Sequence, residues 1–213
     1  MPFAIYSLPA LLAAIACFAG FFVLDLLVKR GRTKAFDIRG ITSLRLPDGT
    51  PRLGMGWAPV MRMLTQLGGP VLRYAIALPL AGWLYTQGYA PNALWLVAAL
   101  ASGWLIDGVV KKVFKRERPT VVPHLAQAGG PSFPSGHTLN ASLVYCGLAL
   151  ACAPLLGAWL VPAVIGGVAI SFAVAFSRVW LGVHWPTDIA AGWLLGTGWW
   201  TGAFSLGGAM LGG

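Results

Sequence analysis

Three short stretches of the chain carry residues that could do chemistry, and the most informative is residues 131–138, Pro-Ser-Phe-Pro-Ser-Gly-His-Thr. A turn-rich run ends here in Ser135-Gly136-His137, and an apolar segment of helical length begins at Thr138. The first backbone N–H groups of a helix have no partners within the helix, and they lie at the positive end of its dipole. The stretch therefore predicts an anion site, and His137 places a titratable imidazole beside it.

The second stretch, residues 111–119, is rich in cations and reads Lys-Lys-Val-Phe-Lys-Arg-Glu-Arg-Pro. In a continuous helix Lys111 and Arg118 would lie on one face, and Pro119 would end that helix. Asp107 lies one turn before Lys111 and could either orient it or be a local ion-pair partner. Two interpretations stay open: a group of cations that binds phosphate, or a basic collar whose side chains reach for the membrane surface.

The third stretch, residues 177–188, reads Ser-Arg-Val-Trp-Leu-Gly-Val-His-Trp-Pro-Thr-Asp. Because Pro186 disfavours a continuous helix here, we expect His184 in a loop and Asp188 in the first turn of the next helix. A carboxylate that accepts from one imidazole nitrogen fixes the tautomer and leaves the other nitrogen free as a nucleophile. The alternative is a structural His–Asp pair, and the nearby Arg178 favours the chemical interpretation.

Three of these cations, Lys111, Arg118 and Arg178, would lie near one membrane surface. A cation held at bilayer depth costs about 2.5–3.5 kcal/mol, and less at the interface. The chain has 15 Lys and Arg but only 6 Asp and Glu, so we expect an anionic ligand to offset this cost. Phosphate fits, since arginine binds its oxygens in pairs, lysine adds a point charge and helix-start amides bind the rest.

In order and spacing, these residues resemble the three-part signature of the type 2 phosphatidic acid phosphatase family. The matching motifs are Lys111-x6-Arg118-Pro119, Pro134-Ser135-Gly136-His137 and Ser177-Arg178-x5-His184-x3-Asp188. The resemblance implies a phosphohistidine at His184 oriented by Asp188, with His137 protonating the leaving alkoxide and then activating water. It also implies that the phosphoryl oxygens are held by Lys111, Arg118, Ser135, the Gly136 amide and Arg178. We expect no metal and no other cofactor, because the sequence has no acidic cluster of the Mg²⁺ type.

Composition indicates which elements position these residues. Of the 213 residues, 57% are hydrophobic and 10% are charged, whereas a typical soluble domain has about 25% charged residues. We therefore predict an all-α fold: a polytopic membrane bundle that forms a single domain over residues 1–213. A short amphipathic segment near 57–67 lies between the first and second transmembrane helices. Six spans have transmembrane length: 8–28, 71–88, 92–110, 138–156, 158–176 and 187–206.

All 15 Lys and Arg fall on one side of this predicted bundle or at its edge, together with the three stretches described above. Such a surface suits a membrane with anionic headgroups, whereas no module typical of nucleic-acid binding is present. Two arguments disagree about the side. The resemblance implies the extracytoplasmic face, while the positive-inside rule applied to residues 29–34 implies the cytoplasm. We expect an extracytoplasmic site in a bacterial inner (plasma) membrane.

The expected substrate is a phosphorylated lipid: phosphatidic acid, phosphatidylglycerol phosphate or a polyprenyl diphosphate. A headgroup fixed at the interface brings its phosphate to the site with little translational cost. Two alternatives stay open, namely a phosphotransferase that uses the same phosphohistidine and a non-catalytic lipid-binding or transport protein. The sequence leaves the oligomeric state undetermined.

Other conspicuous residues are expected to be structural. His124 matches no motif position, and we expect it to be a loop residue. Gly192-x-x-x-Gly196 in the last span has the spacing that lets helices approach closely, and we expect packing inside the bundle rather than a dimer face. The three cysteines lie in apolar runs without a Cys-x-x-Cys pair, so we expect them to be packing residues.

Overall fold

A computed structural model describes the backbone of residues 3–211 and the side chains of residues 8–205. Within that part the chain is helical and has no strand, only an isolated bridge between Arg45 and Pro51. The all-α class predicted from the sequence is therefore confirmed. The helices are α1 (Phe3–Lys29), α2 (Lys34–Thr42), α3 (Ala58–Gln66), α4 (Pro70–Thr86), α5 (Ala90–Val113), α6 (Gly136–Ala151), α7 (Ala153–Leu156), α8 (Leu160–Trp180) and α9 (Pro186–Leu211).

Helices cover each of the six predicted spans, but the described residues contain only three helical runs long and apolar enough to cross a membrane. These are Leu8–Lys29, Ala90–Val113 and Ala153–Trp180. A fourth is obtained if α3 and α4, which meet at a bend of 45°, form one broken span. Helix α6 has only 16 residues, which corresponds to about 24 Å, whereas the hydrocarbon core is about 30 Å thick. The chain is an integral membrane protein, and the count of six spans stays a prediction.

The bundle is built around α6. Helices α8 and α9 both pack on α6, α1 packs along α9, and α4 packs on α5. Leu84, Leu96 and Val144, from α4, α5 and α6, are buried together in the core. Large apolar side chains such as Trp104 and Ile165 point outward and are more than half exposed, at 65% and 62%. An outward apolar surface of this kind is what lipid tails cover in a membrane.

Helix α9 approaches α6 closely at two glycines. A Cβ atom on Gly192 would lie 2.6 Å from the carbonyl oxygen of Ser135, and one on Gly196 would lie 2.7 Å from that of Leu139. Only hydrogen fits at these positions. The prediction that Gly192-x-x-x-Gly196 serves packing inside the bundle is confirmed, and the contact holds the start of α9 against the start of α6.

The end of α5 differs from the prediction. The helix ends at Val113, and Phe114 already has extended backbone angles, φ −105° and ψ 97°. Lys111 therefore lies in the helix and Arg118 lies outside it, so the prediction that both lie on one helical face is wrong. Phe114 packs instead against Phe21 and Phe133, with ring centroids 5.7 and 5.8 Å away.

The predicted amphipathic segment near 57–67 corresponds to α3, which packs against α8. The same side of the bundle carries α2 and the chain between α5 and α6. The ends of α5 and α8 and the beginnings of α6 and α9 meet at this side, where the backbone N–H of Ser135 donates to the carbonyl of Asp188 at 2.9 Å. One end of the bundle thus brings all three chemical stretches together.

Candidate active site

The pair of His184 and Asp188 lies where the sequence predicts it. His184 is in the loop between α8 and α9, and Asp188 is in the first turn of α9. His184 Nδ1 is 3.4 Å from Asp188 Oδ2. This separation is an ion-pair distance rather than that of a well-formed hydrogen bond. The same carboxylate oxygen accepts from the backbone N–H of Trp185 at 2.9 Å. Both side chains are buried, so the pair is held inside the protein.

The other imidazole nitrogen of His184 faces a guanidinium group. Arg118 Nη1 lies 3.2 Å from His184 Nε2. A guanidinium can only donate hydrogen bonds, so Nε2 must be the acceptor and carries no proton. The proton of the neutral ring is then on Nδ1, on the side of Asp188. This tautomer leaves the Nε2 lone pair directed at Arg118.

The charge state of His184 is set mainly by its surroundings. Burial lowers the pKa of His184 from 6.5 to about 4; the neighbouring carboxylate of Asp188 raises it, and the charges of Arg178 and Arg118 lower it. Burial and the two guanidinium groups therefore outweigh the carboxylate. The ring is neutral at neutral pH, which is the form a nucleophilic imidazole needs.

Arg118 is fixed by main-chain oxygens. Its guanidinium donates to the carbonyls of Val183 at 2.7 Å, Gly129 at 2.8 Å and Gly130 at 3.1 Å. Burial lowers the pKa of Arg118, and the charge of Asp188 partly offsets this. The cation is thus held by the loop before α6 and by the loop that carries His184.

Arg178 and His137 line a cavity of about 540 Å³ beside this pair. Arg178 is 4% exposed, and its Nη1 donates to Thr65 Oγ1 of α3 at 2.9 Å. Its Nε has no partner among the described residues. His137 lies close enough to Arg178, His184, Lys111 and Arg118 to interact electrostatically with each. A buried cation with a free donor beside an open cavity is suited to binding an anion.

The start of α6 lies at the position where the sequence predicts an anion site. Ser135 caps the helix: its Oγ accepts from Thr138 Oγ1 at 3.0 Å and from the Thr138 N–H at 3.5 Å. A Cβ atom on Gly136 would lie 2.8 Å from Lys111 Nζ, so the end of α5 touches the start of α6. Lys111 also donates to Asp107 at 2.9 Å, so the local ion pair considered for these two residues is present.

The structure therefore brings the predicted site residues to one end of the bundle. His184 contacts Asp188 and Arg118 directly. Two further members, His137 and Arg178, line the cavity. The other three, Ser135, Gly136 and Lys111, meet at the start of α6. His124 is a loop residue, as expected, and its Nε2 lies 2.6 Å from the carbonyl oxygen of Pro119 at the mouth of the cavity.

Sequence reasoning missed two charged residues, Arg116 and Asp37. Arg116 donates to Asp188 Oδ1 at 2.7 Å and to Asp37 Oδ2 at 2.6 Å. A signal for Arg116 was present: a residue before proline is biased to extended backbone, and in an extended chain residues two apart point to the same side. Arg116 and Arg118 have that spacing. No local pattern marks Asp37, which reaches the site only through the fold.

Comparison with known proteins gives consistent matches. A family model described as the PAP2 superfamily matches residues 92–209. Phosphatidylglycerophosphatase B of Bacillus subtilis (strain 168) is 30% identical over 149 residues, which is 64% of this chain and 68% of that protein. An undecaprenyl-diphosphatase of Sulfolobus acidocaldarius is 41% identical over 66 residues, which is 31% of this chain and 29% of that protein.

A solved structure shares the fold over nearly the whole chain. It is the crystal structure of a transmembrane PAP2 type phosphatidylglycerolphosphate phosphatase from Bacillus subtilis. The TM-score is 0.79 at 24% identity, and the match covers 92% of this chain and 94% of the other. At this level of identity the match concerns the fold alone.

Proposed function

This chain belongs to the PAP2 superfamily and is a membrane lipid phosphatase; from this premise we propose that it hydrolyses its lipid phosphate through a phosphohistidine at His184. The observation that carries the proposal is the environment of the imidazole. Nδ1 is backed by Asp188, and the unprotonated Nε2 faces Arg118 at 3.2 Å. A buried, neutral ring oriented in this way is a nucleophile with its lone pair already directed.

In the first step His184 Nε2 attacks phosphorus, and a P–N bond forms. The P–O bond to the leaving group breaks, and its electron pair goes to the departing oxygen. His137 donates a proton to that oxygen as a general acid. The Nδ1 proton of His184 stays on the side of Asp188, whose negative charge stabilises the positive charge that the ring acquires.

In the second step water cleaves the intermediate. His137, now neutral, accepts a proton from water, and the resulting hydroxide attacks phosphorus. The P–N bond breaks, and its electron pair returns to His184 Nε2. Inorganic phosphate leaves, and His137 is again protonated for the next turnover. One histidine is the nucleophile and the other carries the proton in both directions.

The phosphoryl oxygens are proposed to lie among Arg118, Arg178, Lys111, Ser135 and the Gly136 amide. Charge on these oxygens is spread in the transition state of phosphoryl transfer, so fixed cations stabilise it without rearranging. Arg118 is held by three carbonyl groups, and Arg178 is buried with an Nε that has no partner in the described part of the chain. Both guanidinium groups are therefore preorganised before the substrate arrives.

We propose that the reaction uses no metal ion. The carboxylates nearest the site are already bound to cations: Asp188 and Asp37 to Arg116, and Asp107 to Lys111. Guanidinium and ammonium groups then provide the positive charge that Mg²⁺ provides in many other phosphoryl-transfer enzymes. This part of the proposal predicts that a chelator leaves the activity intact.

The proposed substrate is a phosphorylated lipid whose headgroup enters the cavity beside Arg178. The cavity volume of about 540 Å³ exceeds what a single phosphate needs, and Arg62 is among the residues that line it. A phosphomonoester and a diphosphate of a lipid both fit this description. The relatives that the chain resembles are named for phosphatidylglycerophosphate and for undecaprenyl diphosphate.

Two measurements test the proposal. In detergent with excess EDTA, we expect the wild-type protein to release phosphate from a panel of lipid phosphates. We expect His184→Ala to lower turnover by about 10³-fold or more, since a nucleophile is removed. Tyr85→Phe, at the opposite end of the bundle, is the control and should retain wild-type turnover.

Trapping the intermediate separates covalent from direct hydrolysis. With a substrate that has a good leaving group, such as nitrophenyl phosphate labelled at phosphorus, we expect His137→Gln to accumulate an acid-labile label on the protein. The double variant with His184→Ala should carry none. Wild-type turnover in His184→Ala, or activity that EDTA abolishes and a metal restores, would contradict the corresponding part of the proposal.

A further inference from the structure

Arg116 lies outside the predicted site, yet it makes three short polar contacts beside it. Its Nη1 donates to Asp188 Oδ1 and to Thr187 Oγ1, both at 2.7 Å, and its Nη2 donates to Asp37 Oδ2 at 2.6 Å. The side chain is 19% exposed, while Asp37 and Asp188 are 1% and 0% exposed. One guanidinium thus bridges two buried carboxylates at hydrogen-bond distance.

Asp37 extends this contact to the start of α9. Its Oδ1 accepts from the backbone N–H of Thr187 at 2.9 Å, and both carboxylate oxygens accept from Thr187 Oγ1, at 2.9 and 2.8 Å. A carboxylate that binds a free N–H in the first turn of a helix acts as an N-terminal cap, and its negative charge interacts favourably with the helix dipole. Here the cap comes from α2 and ties it to α9.

The two oxygens of Asp188 have separate partners. Oδ1 accepts from Arg116, whereas Oδ2 accepts from the Trp185 N–H and faces His184 Nδ1. The plane of the carboxylate is therefore fixed from the side opposite the imidazole. Without Arg116, only the Trp185 N–H among the described residues would hold the carboxylate, and Asp188 would be freer to rotate away from His184.

We propose that Arg116 and Asp37 are positioning residues that hold Asp188 toward His184 and set the basicity of that imidazole. The inference rests on the proposed phosphohistidine at His184. Because the bridge contains two carboxylates and one guanidinium, its net charge is −1 in the intact protein. This negative charge interacts electrostatically with His184, because Asp188 is both part of the bridge and next to the imidazole.

The sign of each effect follows from this charge. Removal of the Arg116 cation leaves the bridge at −2, which favours the protonated imidazole and raises the pKa of His184. Removal of the Asp37 charge leaves the bridge neutral, which lowers the pKa of His184. The other charged or titratable groups that act on His184 are Arg178 of α8, Arg118 of the extended segment and His137 of α6, and these stay the same in both variants.

The experiment compares the acid limb of the pH profile of kcat/KM in Arg116→Gln and Asp37→Asn, with one lipid phosphate as substrate. We expect the limb to move to higher pH in the first variant and to lower pH in the second. We expect kcat to fall by about 10–100-fold in Arg116→Gln, as for other residues that hydrogen-bond to and orient a group next to the reacting atom. We expect KM to change less. Arg116→Lys keeps the positive charge, so we expect its acid limb to lie close to that of the wild type.

Arg39→Gln is the matched control. Arg39 is an exposed cation on α2, the helix that carries Asp37, and its loss changes the net charge of the protein by the same amount. A solvent-exposed charge is screened by salt, so we expect the pH profile of Arg39→Gln to equal that of the wild type.

Each outcome decides the proposal. An unchanged pH profile in both Arg116→Gln and Asp37→Asn, whatever happens to kcat, would overturn it and leave the bridge a structural contact. If Arg116→Gln does not fold, Asp37→Asn still decides, because asparagine can keep the bond to the Thr187 N–H while losing the charge. A wild-type protein that forms no acid-labile phosphoenzyme would overturn the proposed function and this inference together, whereas an unchanged profile in a phosphoenzyme-forming protein overturns this inference alone.

Discussion

At the residue scale, the environment of His184 shows how one imidazole can have an acidic partner and still be neutral. Asp188 alone would raise the pKa of the ring. Burial and the two arginine side chains lower it further than the carboxylate raises it. The ring therefore combines a neutral charge state with a fixed tautomer, in which Nε2 is unprotonated and faces Arg118.

This environment predicts the titration of the ring. Because the pKa of His184 is lowered to about 4, the ring is neutral above that pH, and protonation removes the nucleophile only as the pH falls through it. In a His124→Gln, His137→Gln protein, His184 is the sole histidine, and its ¹⁵N NMR signals should titrate near pH 4. His184→Gln in the same background assigns the signals by removing them. Titration near the ordinary value of 6.5 would contradict the prediction.

The sequence predicts the groups that could act directly on phosphate better than the groups that support them. Each predicted site residue lies in a motif whose spacing is local, such as His184 and Asp188. Asp37 and Thr187 are 150 positions apart, and no local spacing can predict that they meet. The stretch 111–119 does not reveal the partners of Arg116, because Asp37 and Asp188 come from two distant helices.

At the element scale, the ends of helices decide the geometry of the site. Lys115 and Arg116 favour helices, which explains why the sequence predicts that α5 continues to Pro119. Tertiary contacts outweigh this preference: the carbonyl of Arg116 accepts from the Ser132 N–H at 2.8 Å, and Phe114 joins an aromatic cluster. Ending the helix early turns Arg116 and Arg118 toward α9.

The contact between α9 and α6 yields a prediction about packing. Gly192→Ala would place a methyl group 2.6 Å from the Ser135 carbonyl oxygen, so α9 must move away from α6. We expect the free energy of unfolding to fall by about 1–3 kcal/mol, as for other overpacked sites, and turnover to fall because His184 and Ser135 move apart. Unfolding in mixed detergent and phosphate release measure the two effects.

Gly82→Ala in α4 is the matched control for this substitution. A Cβ atom there meets nothing within 4 Å, and alanine favours a helix more than glycine by about 1 kcal/mol. We expect unchanged turnover and unchanged or higher stability. Equal free energies of unfolding for Gly192→Ala and the wild type would contradict the prediction, since they would show that a methyl group fits between α6 and α9.

At the scale of the whole molecule, charge is concentrated at one end. All 15 Lys and Arg lie on the side of the site or at its edge, while apolar side chains such as Leu94 and Val161 point outward along the bundle, exposed to 64% and 66%. Such a molecule has a basic end at a membrane surface and an apolar belt in the bilayer. The single domain over residues 1–213 and the count of six spans stay predictions, and so does the side of the membrane that this end faces.

Labelling in intact cells tests the side of the membrane. Asp48 is exposed in a turn on the side of the site, where its Oδ1 accepts from the Thr50 N–H at 2.9 Å. If the site is extracytoplasmic, Asp48→Cys should react with a membrane-impermeant maleimide without permeabilisation. Gln87→Cys, exposed at the opposite end of α4, should react only after permeabilisation. The reverse pattern would place the site in the cytoplasm.

The hydrogen bonds between Asp37 and Thr187 also bear on how the protein is made. They join α2 to the first turn of α9, across 150 positions of sequence. During synthesis α2 is translated long before His184, Thr187 and Asp188 are. We therefore expect a nascent chain to be catalytically silent until α9 has been translated and inserted, because only then can Thr187 meet Asp37 and His184 meet Arg118.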